Sequence, residues 1–421
     1  MPRVLMITAR YAPDARIGTR RVLRLCRRLP ARGWTPVVLH PDAQAANPTP
    51  PPIDDSLRAP PIEAHSVPAF FPSVRLQRLA ERLLTDQPAA LRVARVLIRD
   101  ARVGDQFAEW TRAARRAALR LGPFDAVWAT GGPFGLFVPA AAVAAALNAP
   151  LVLDYRDPWT PGRAPLNHPF GLPRAALRAI ERRILARAAG VAFVNADMRA
   201  RYEAAFGQPA GAHWAVIANG FAPEERPCAP PIVEPRPTLL YAGNCYASRS
   251  LVPVLDALAA GFGPGSTGLQ LVVHGQIDPP AAAWLAQTPL PGRVHLRPPV
   301  SSDEIIRRMQ GAAALLLLVG TRHATALTGK LFDYLLAERP ILGVGPPGAD
   351  AAAVIARCGV GTWADHEDRA GLIAALRAVE TGLPCAPDAA QIAPFSADAM
   401  ADATAALLSA AAAGPARPAP R

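Results

Sequence analysis

Short apolar runs alternate along the chain with stretches in which apolar residues recur every three or four positions. The first run, Val4-Leu5-Met6-Ile7-Thr8, ends in a loop and predicts a buried strand. Val22, Leu23, Cys26 and Leu29 then follow at helical spacing. Repeating this reading predicts strands over residues 4–8, 36–40, 126–130, 151–155, 191–195 and 214–217 in the first half. The second half has its own set, at 238–242, 270–274, 294–297, 314–319, 341–344 and 361–363. Strands separated by helices predict parallel sheets in an α/β fold. Two such halves are expected to face a ligand cleft at the carboxyl ends of their strands.

A proline-rich stretch separates the halves. The pattern predicts a first domain over 1–224, a semi-rigid linker over 225–237 and a second domain over 238–395. A final helix and frayed tail occupy 396–421. A second proline cluster, 47–61, reads as a surface loop. The uncharged stretch 131–153 resembles a membrane span only in its lack of charge. Pro133, Pro139, Asn148 and Pro150 break it, so a buried helix followed by a strand is expected.

Composition narrows the class. With 421 residues, 51% hydrophobic and 19% charged, the chain can bury large cores and is not of the disordered type. Its five cysteines, Cys26, Cys228, Cys245, Cys358 and Cys385, are scattered and form no CxxC pair. Neither a zinc site nor a disulfide framework is expected, and a reducing, cytoplasmic compartment fits. The amino-terminal run reads as a strand rather than a secretion signal.

The net charge of +12 is unevenly placed. Up to Glu224 there are 30 basic and 17 acidic residues, and beyond it 15 and 16. Of the 45 basic residues only Lys330 is a lysine, leaving 44 arginines. Residues 75–120 alone hold 11 arginines against five acids. Leu76, Leu79, Leu83 and Leu84, and then Leu91, Val96 and Leu97, recur there at helical spacing. This pattern fits a pair of helices packed on the domain with solvated arginine faces. It also fits a surface that meets anionic lipid headgroups, at the inner face of a membrane. Aromatic interleaving and recognition motifs are missing, so no nucleic-acid partner is expected.

The candidate chemistry lies in loops at strand ends. The first loop, Arg10 to Arg20, contains Gly18 and opens a helix, whose free N–H groups suit a phosphate. Asp154-Tyr155-Arg156-Asp157-Pro158-Trp159 forms a charged cluster with an aromatic at a strand's end. Its tryptophan could carry a sugar face and its carboxylates could accept hydroxyls; an Arg–Asp pair capping the strand is the structural alternative. Gly243-Asn244 ends another strand, with Arg249 shortly before the next helix. An arginine there can grip a diphosphate with two donors. In Thr328-Gly329-Lys330-Leu331-Phe332-Asp333-Tyr334-Leu335, Thr328 is placed to cap a helix. Lys330 and Asp333, three apart, point away from the Leu331/Leu335 stripe. A cation for phosphate and a carboxylate for ribose hydroxyls fit a nucleotide there, and a simple helical ion pair is the alternative. Gly343-Val-Gly345-Pro-Pro-Gly348 matches GxGxxG, but Pro346 and Pro347 remove the donors that a pyrophosphate loop needs. No metal-ligand cluster is evident, and no metal is expected.

Taken together, these segments resemble the GT-B glycosyltransferases, specifically the family 4-like group, over nearly the whole chain. Residues 17–21 are similar to that family's glycine loop, and 154–159 to its "DFRDPW" segment. Ala218-Asn219-Gly220-Phe221 resembles its "NGxD" segment, and 328–335 its "KxFEYLA" helix. The resemblance implies two Rossmann-like domains and a carboxyl-terminal helix crossing back to the first. It also implies transfer of a sugar from a nucleotide-diphosphate donor, with retention, to a glycan or lipid-linked acceptor in surface polysaccharide or lipopolysaccharide synthesis. No cofactor is implied. Catalytic roles would fall to Gly18, Arg156, Asp157, Arg249 and Lys330. The donor would meet Gly243, Asn244, Arg249, His274, Thr328, Gly329, Lys330 and Asp333, and the acceptor Thr19, Arg20 and Trp159. The family's paired glutamates are replaced by Thr325 and Asp333, its "NGxD" aspartate by Ala222, and its strand-end histidine by Arg156. Those departures leave a second reading open, a degenerate relative that binds nucleotide or glycan without transfer.

Overall fold

The structure is a computed structural model. It describes residues 1–14, 18–42, 53–54, 57, 59–68, 70–100, 105–161, 172–246, 249–262, 268–321, 324–325 and 327–414. Ile17, most of the 47–61 loop and the tail beyond residue 414 lie outside them. The chain divides into two compact units, Met1–Ala218 together with Ala397–Arg421, and Asn219–Ser396.

The first unit is built on a parallel sheet in the order β3-β2-β1-β4-β5-β6-β7. Its strands are β1 (Arg3–Ile7), β2 (Thr35–Pro41), β3 (Ala64–Val67), β4 (Ala126–Thr130), β5 (Leu151–Tyr155), β6 (Ala188–Phe193) and β7 (His213–Val216). β4, β5 and β6 are buried along their whole length, as strands covered on both faces must be. β3 escaped the sequence reading. It is a four-residue edge strand reading Ala-His-Ser-Val that pairs only with β2, so it carries no apolar run to detect.

The second unit repeats the plan with the order β10-β9-β8-β11-β12-β13, again parallel. These are β8 (Thr238–Ala242), β9 (Gln270–His274), β10 (Val294–Arg297), β11 (Ala314–Leu318), β12 (Ile341–Gly345) and β13 (Gly361–Asp365). In each unit the strand order reverses once, between β1 and β4 and between β8 and β11. Ligands of such sheets bind at the carboxyl ends beside that reversal.

The Ala397–Ala413 helix crosses back onto the first unit. Leu407 packs where Gly190 leaves β6 bare, and Arg32 binds Asp402 at 2.6 Å and Asp398 at 3.2 Å. The proline-rich 225–237 stretch is not a free tether. Ile232 N–H donates to Arg307 O (3.0 Å), Arg307 Nε donates to Pro230 O (2.8 Å), and Glu234 pairs with Arg297 and Arg308. Residues 131–153 form the Phe137–Leu147 helix and then β5. Among the described residues no helix is long and apolar enough to cross a membrane.

Candidate active site

The first unit brings Gly18, Arg156 and Asp157 together at its strand ends. Arg156 follows β5 and reaches across to the loop after β4, where Nε donates to Gly131 O (3.0 Å) and Nη2 to Gly132 O (2.6 Å). Its guanidinium lies on the first turn of the Gly18–Arg28 helix. A methyl group on Gly18 would stand 2.6 Å from Nη1, so a side chain there would displace the guanidinium. Burial pulls Arg156 below the usual guanidinium range, while Asp154 and Asp157 push it back up. A cation at the positive end of a helix makes a site that favours an anion. Asp157 is exposed beside Gly132.

Asp154, by contrast, is structural. It is fully buried and accepts from Arg21 Nη2 at 2.7 Å and Nε at 2.9 Å, and from Thr130 Oγ1 at 2.8 Å. Two expected acceptor contacts need correction. Trp159 is 3% exposed and stacks on Phe134 with centroids 5.7 Å apart, so its ring fills the core and offers no sugar platform. Thr19 is fully buried, so it offers no surface to an acceptor; Arg20 beside it is half-buried. The loop's geometry is set by Glu181, which the sequence reading missed. This buried carboxylate accepts from Thr160 N–H (3.1 Å), Thr160 Oγ1 and Tyr202 Oη (2.8 Å), and Tyr202 Oη accepts from Trp159 N–H (2.9 Å). Trp159→Phe is therefore expected to cost about 1–2 kcal/mol of stability and to leave the KM for acceptor unchanged. Thermal denaturation and steady-state kinetics check this; a raised KM at unchanged Tm would restore the platform.

In the second unit Lys330 is the centre. It is the second residue of the Gly329–Ala337 helix and turns back over β8, its Nζ 3.7 Å from the Tyr241 ring centroid. Gly243, at φ +107°, ends β8 there; a methyl group on it would lie 2.9 Å from Lys330 Cε. Lys330 Nζ has no hydrogen-bond partner among the described residues, so the simple ion pair with Asp333 is not made. Burial pulls the ammonium down to about 7; Arg249 adds to that, and Cys245 and Asp333 oppose it. Two cations within electrostatic reach, with Lys330 Nζ lacking a hydrogen-bond partner among the described residues, favour an anion there.

Two neighbouring polar atoms also lack a partner among the described residues. Thr328 stands at the N-cap position, but its hydroxyl makes no cap bond, correcting the expected capping role. Its buried Oγ1 has no partner among the described residues, nor has His274 Nε2. His274 ends β9, its Nδ1 3.0 Å from Pro298 O, which assigns the proton to Nδ1. Burial lowers its pKa, so the ring is neutral and Nε2 can accept a ligand hydroxyl. Asn244 is exposed and spends Oδ1 on Gln276 N–H (3.1 Å). The GxGxxG match is explained by packing: methyl groups on Gly343 or Gly345 would collide with the Trp363 ring of β13. Among the described residues no group of three or more His, Cys, Asp or Glu side chains is placed to share a metal ion.

Residues 18–220 match the glycosyl transferase 4-like domain family. This segment resembles that family, and the two-sheet fold is that of the GT-B glycosyltransferases. Among solved structures, this GT-B chain is similar to a UDP-forming α,α-trehalose-phosphate synthase from Burkholderia xenovorans in complex with glucose-6-phosphate, at 14% identity and TM-score 0.62, over 97% of this chain and 100% of that one. It is similar to an E. coli protein described as trehalose-6-phosphate bound with UDP-2-fluoro glucose, at 12% identity and TM-score 0.57, over 97% and 96%. A lipopolysaccharide outer core galactosyltransferase matches at 12% identity and TM-score 0.54, over 97% and 99%. At these identities the likeness speaks for the fold. A search of curated protein sequences returns no significant match.

Proposed function

We propose that this GT-B protein is a retaining glycosyltransferase. It would hold a nucleotide-diphosphate sugar in the second unit and pass the sugar to a glycan or lipid-linked acceptor held by the first. The pathway proposed is the synthesis of a cell-surface polysaccharide or lipopolysaccharide on the cytoplasmic side. The observation that carries the reading is Lys330 Nζ, unpartnered over Tyr241 with Arg249 in reach. As the bond to the sugar breaks, negative charge grows on the departing diphosphate. Cations already in position stabilise that charge without reorganising. In this reading Lys330 and Arg249 take the diphosphate, Asp333 and Thr328 the nucleoside hydroxyls, and His274 a sugar hydroxyl. Arg156 and Asp157 orient the acceptor. With two side-chain cations on the leaving group, the reading calls for no metal and no cofactor.

Screening nucleoside diphosphates by thermal shift and nucleotide sugars by turnover tests it. Tight diphosphate binding with no transfer from any donor would favour the binding protein instead. The pH dependence is a sharper check. Lys330 sits at about 7 in the free protein, and a bound diphosphate raises it. Above pH 7 binding must therefore take up a proton, and the Kd for the matching diphosphate is expected to rise by up to about tenfold per pH unit between about 7 and 9. Calorimetry in buffers of different ionisation enthalpy measures the uptake. A Kd flat across that range removes Lys330 from the phosphate.

A further inference from the structure

The Pro72–Leu83 and Pro88–Asp100 helices form a hairpin of the first unit that, among the described residues, is anchored at the start of the first helix. There Phe71 packs edge-on to Phe107 with centroids 6.1 Å apart, Val74 is buried, and Ser73 N–H donates to Glu109 Oε2 (3.2 Å). From Arg75 to Ile98 no described residue is buried. The apolar residues are nevertheless there. Leu76, Leu79 and Leu83, one stripe of the first helix, are 55%, 52% and 71% exposed, and Val93 and Leu97 of the second are 59% and 55% exposed. Helices packed on the domain through their leucines would have buried these residues and solvated the arginines. The structure leaves the leucines in solvent beside the exposed Arg75 and Arg82.

The arginines run beside the leucines. Arg75, Arg78 and Arg82 repeat the leucine spacing one position earlier, about 100° around the helix. Arg92 and Arg95 lie on the second helix, and among the described side chains of the hairpin the acids are Glu81, paired with Arg95 at 2.9 Å, and Asp86. Arg75 also covers the exposed Phe70 ring at 4.6 Å. An apolar stripe beside a cationic one fits an interface with oil on one side and anions at its rim.

We propose that this hairpin docks the first unit on an anionic lipid bilayer, with the leucine stripe at the acyl boundary and the arginines on headgroup phosphates. Charge selects this occupant over a second copy of the chain, since a two-fold contact would press like-charged arginine stripes together. The inference deepens the proposed function by placing the acceptor at a membrane, but it stands on the hairpin alone and its test reads binding rather than transfer.

The test is flotation of the full chain with phosphatidylcholine vesicles and with vesicles of equal parts phosphatidylcholine and phosphatidylglycerol. The chain is expected to float with the anionic vesicles only, and less as salt rises. Arg75→Gln/Arg78→Gln/Arg82→Gln is expected to weaken partitioning on the order of a hundredfold, at about 1 kcal/mol per cation. Leu76→Ser/Leu79→Ser/Leu83→Ser is expected to weaken it at least about tenfold. All of these residues are exposed except the partly buried Arg78, so the Tm and the thermal shift with nucleoside diphosphate should stay close to those of the parent. Failure of the parent to float with anionic vesicles overturns the proposal. So does flotation that is equal on neutral vesicles and indifferent to the arginine changes. A concentration-dependent dimer abolished by the leucine changes, without vesicle binding, would assign the face to a second copy.

Discussion

Replacing Lys330 with alanine lowers kcat/KM for sugar transfer by about a hundredfold or more, the scale of losing one preorganised donor to a developing oxyanion. Lys330 Nζ makes no hydrogen bond among the described residues, and the side chain's stem fills the space left by Gly243 above the Tyr241 ring. Arginine should not rescue it. The pocket beside Gly243 is shaped to a narrow stem and a compact head, and a planar guanidinium carries different demands of space and geometry. A second variant, Lys330→Met, separates function from folding. The folded pKa of Lys330 lies at about 7, well below its ordinary value. Between those two limits the unfolded chain binds more protons than the folded one, so this group makes stability rise with pH across that window. Below pH 7 the penalty of burying the ammonium is fully present. Lys330→Met should therefore raise Tm at pH 6–7 by a few degrees while abolishing the diphosphate-induced thermal shift. The gain should shrink as the pH approaches 10. Near-normal turnover in Lys330→Ala, or a variant less stable than the parent at pH 6, would remove the residue from its assigned role.

Lys330 was visible in the sequence because two independent patterns met on it. It is the lone lysine among 45 basic residues, and it stands at the start of a helix next to a carboxylate. The strands around it were visible for a similar reason. β8, β9, β11 and β12 are uninterrupted apolar runs ending in glycine, histidine or a loop, and burial on both faces enforces such runs. What the sequence hid was pairing across long separations. The ring beneath Lys330 belongs to Tyr241, which reads locally as one more strand residue. Gly18 looked like a phosphate loop acting alone, whereas its lack of a side chain makes room for Arg156 from another strand end. Trp159 looked exposed because it follows a charged cluster. Glu181, Tyr202 and Phe134, all remote in sequence, draw it inward. The leucines of the 72–98 hairpin misled in the opposite direction: their spacing promised a packed face, but spacing carries no information on whether anything lies opposite it.

Asp154→Ala should be the most destabilising single change in the charged cluster, costing about 3–5 kcal/mol because it strands a buried guanidinium. The pair it breaks spans much of the first unit. Arg21 comes from the Gly18–Arg28 helix and Asp154 from β5. Arg21 Nη1 also donates to Ala218 O (2.9 Å) and Nη2 to Ile217 O (3.2 Å), and Met400 of the returning helix lies 3.3 Å from Nη1. Thr130 Oγ1 supplies the third bond to Asp154. With the carboxylate gone, these carbonyls cannot neutralise the arginine, and solvent cannot reach it. Removing both charges together is a different case, since an apolar pair of similar volume needs no compensation. The double variant Arg21→Met/Asp154→Leu should therefore be less destabilised than the sum of its single changes by about 2 kcal/mol or more. Denaturant unfolding of the four proteins measures the coupling. The diphosphate-induced shift, assigned to the second unit, should persist in all of them. Additive losses would mean that Arg21 and Asp154 are satisfied separately. A loss of transfer at unchanged stability would move Asp154 from the framework to the acceptor.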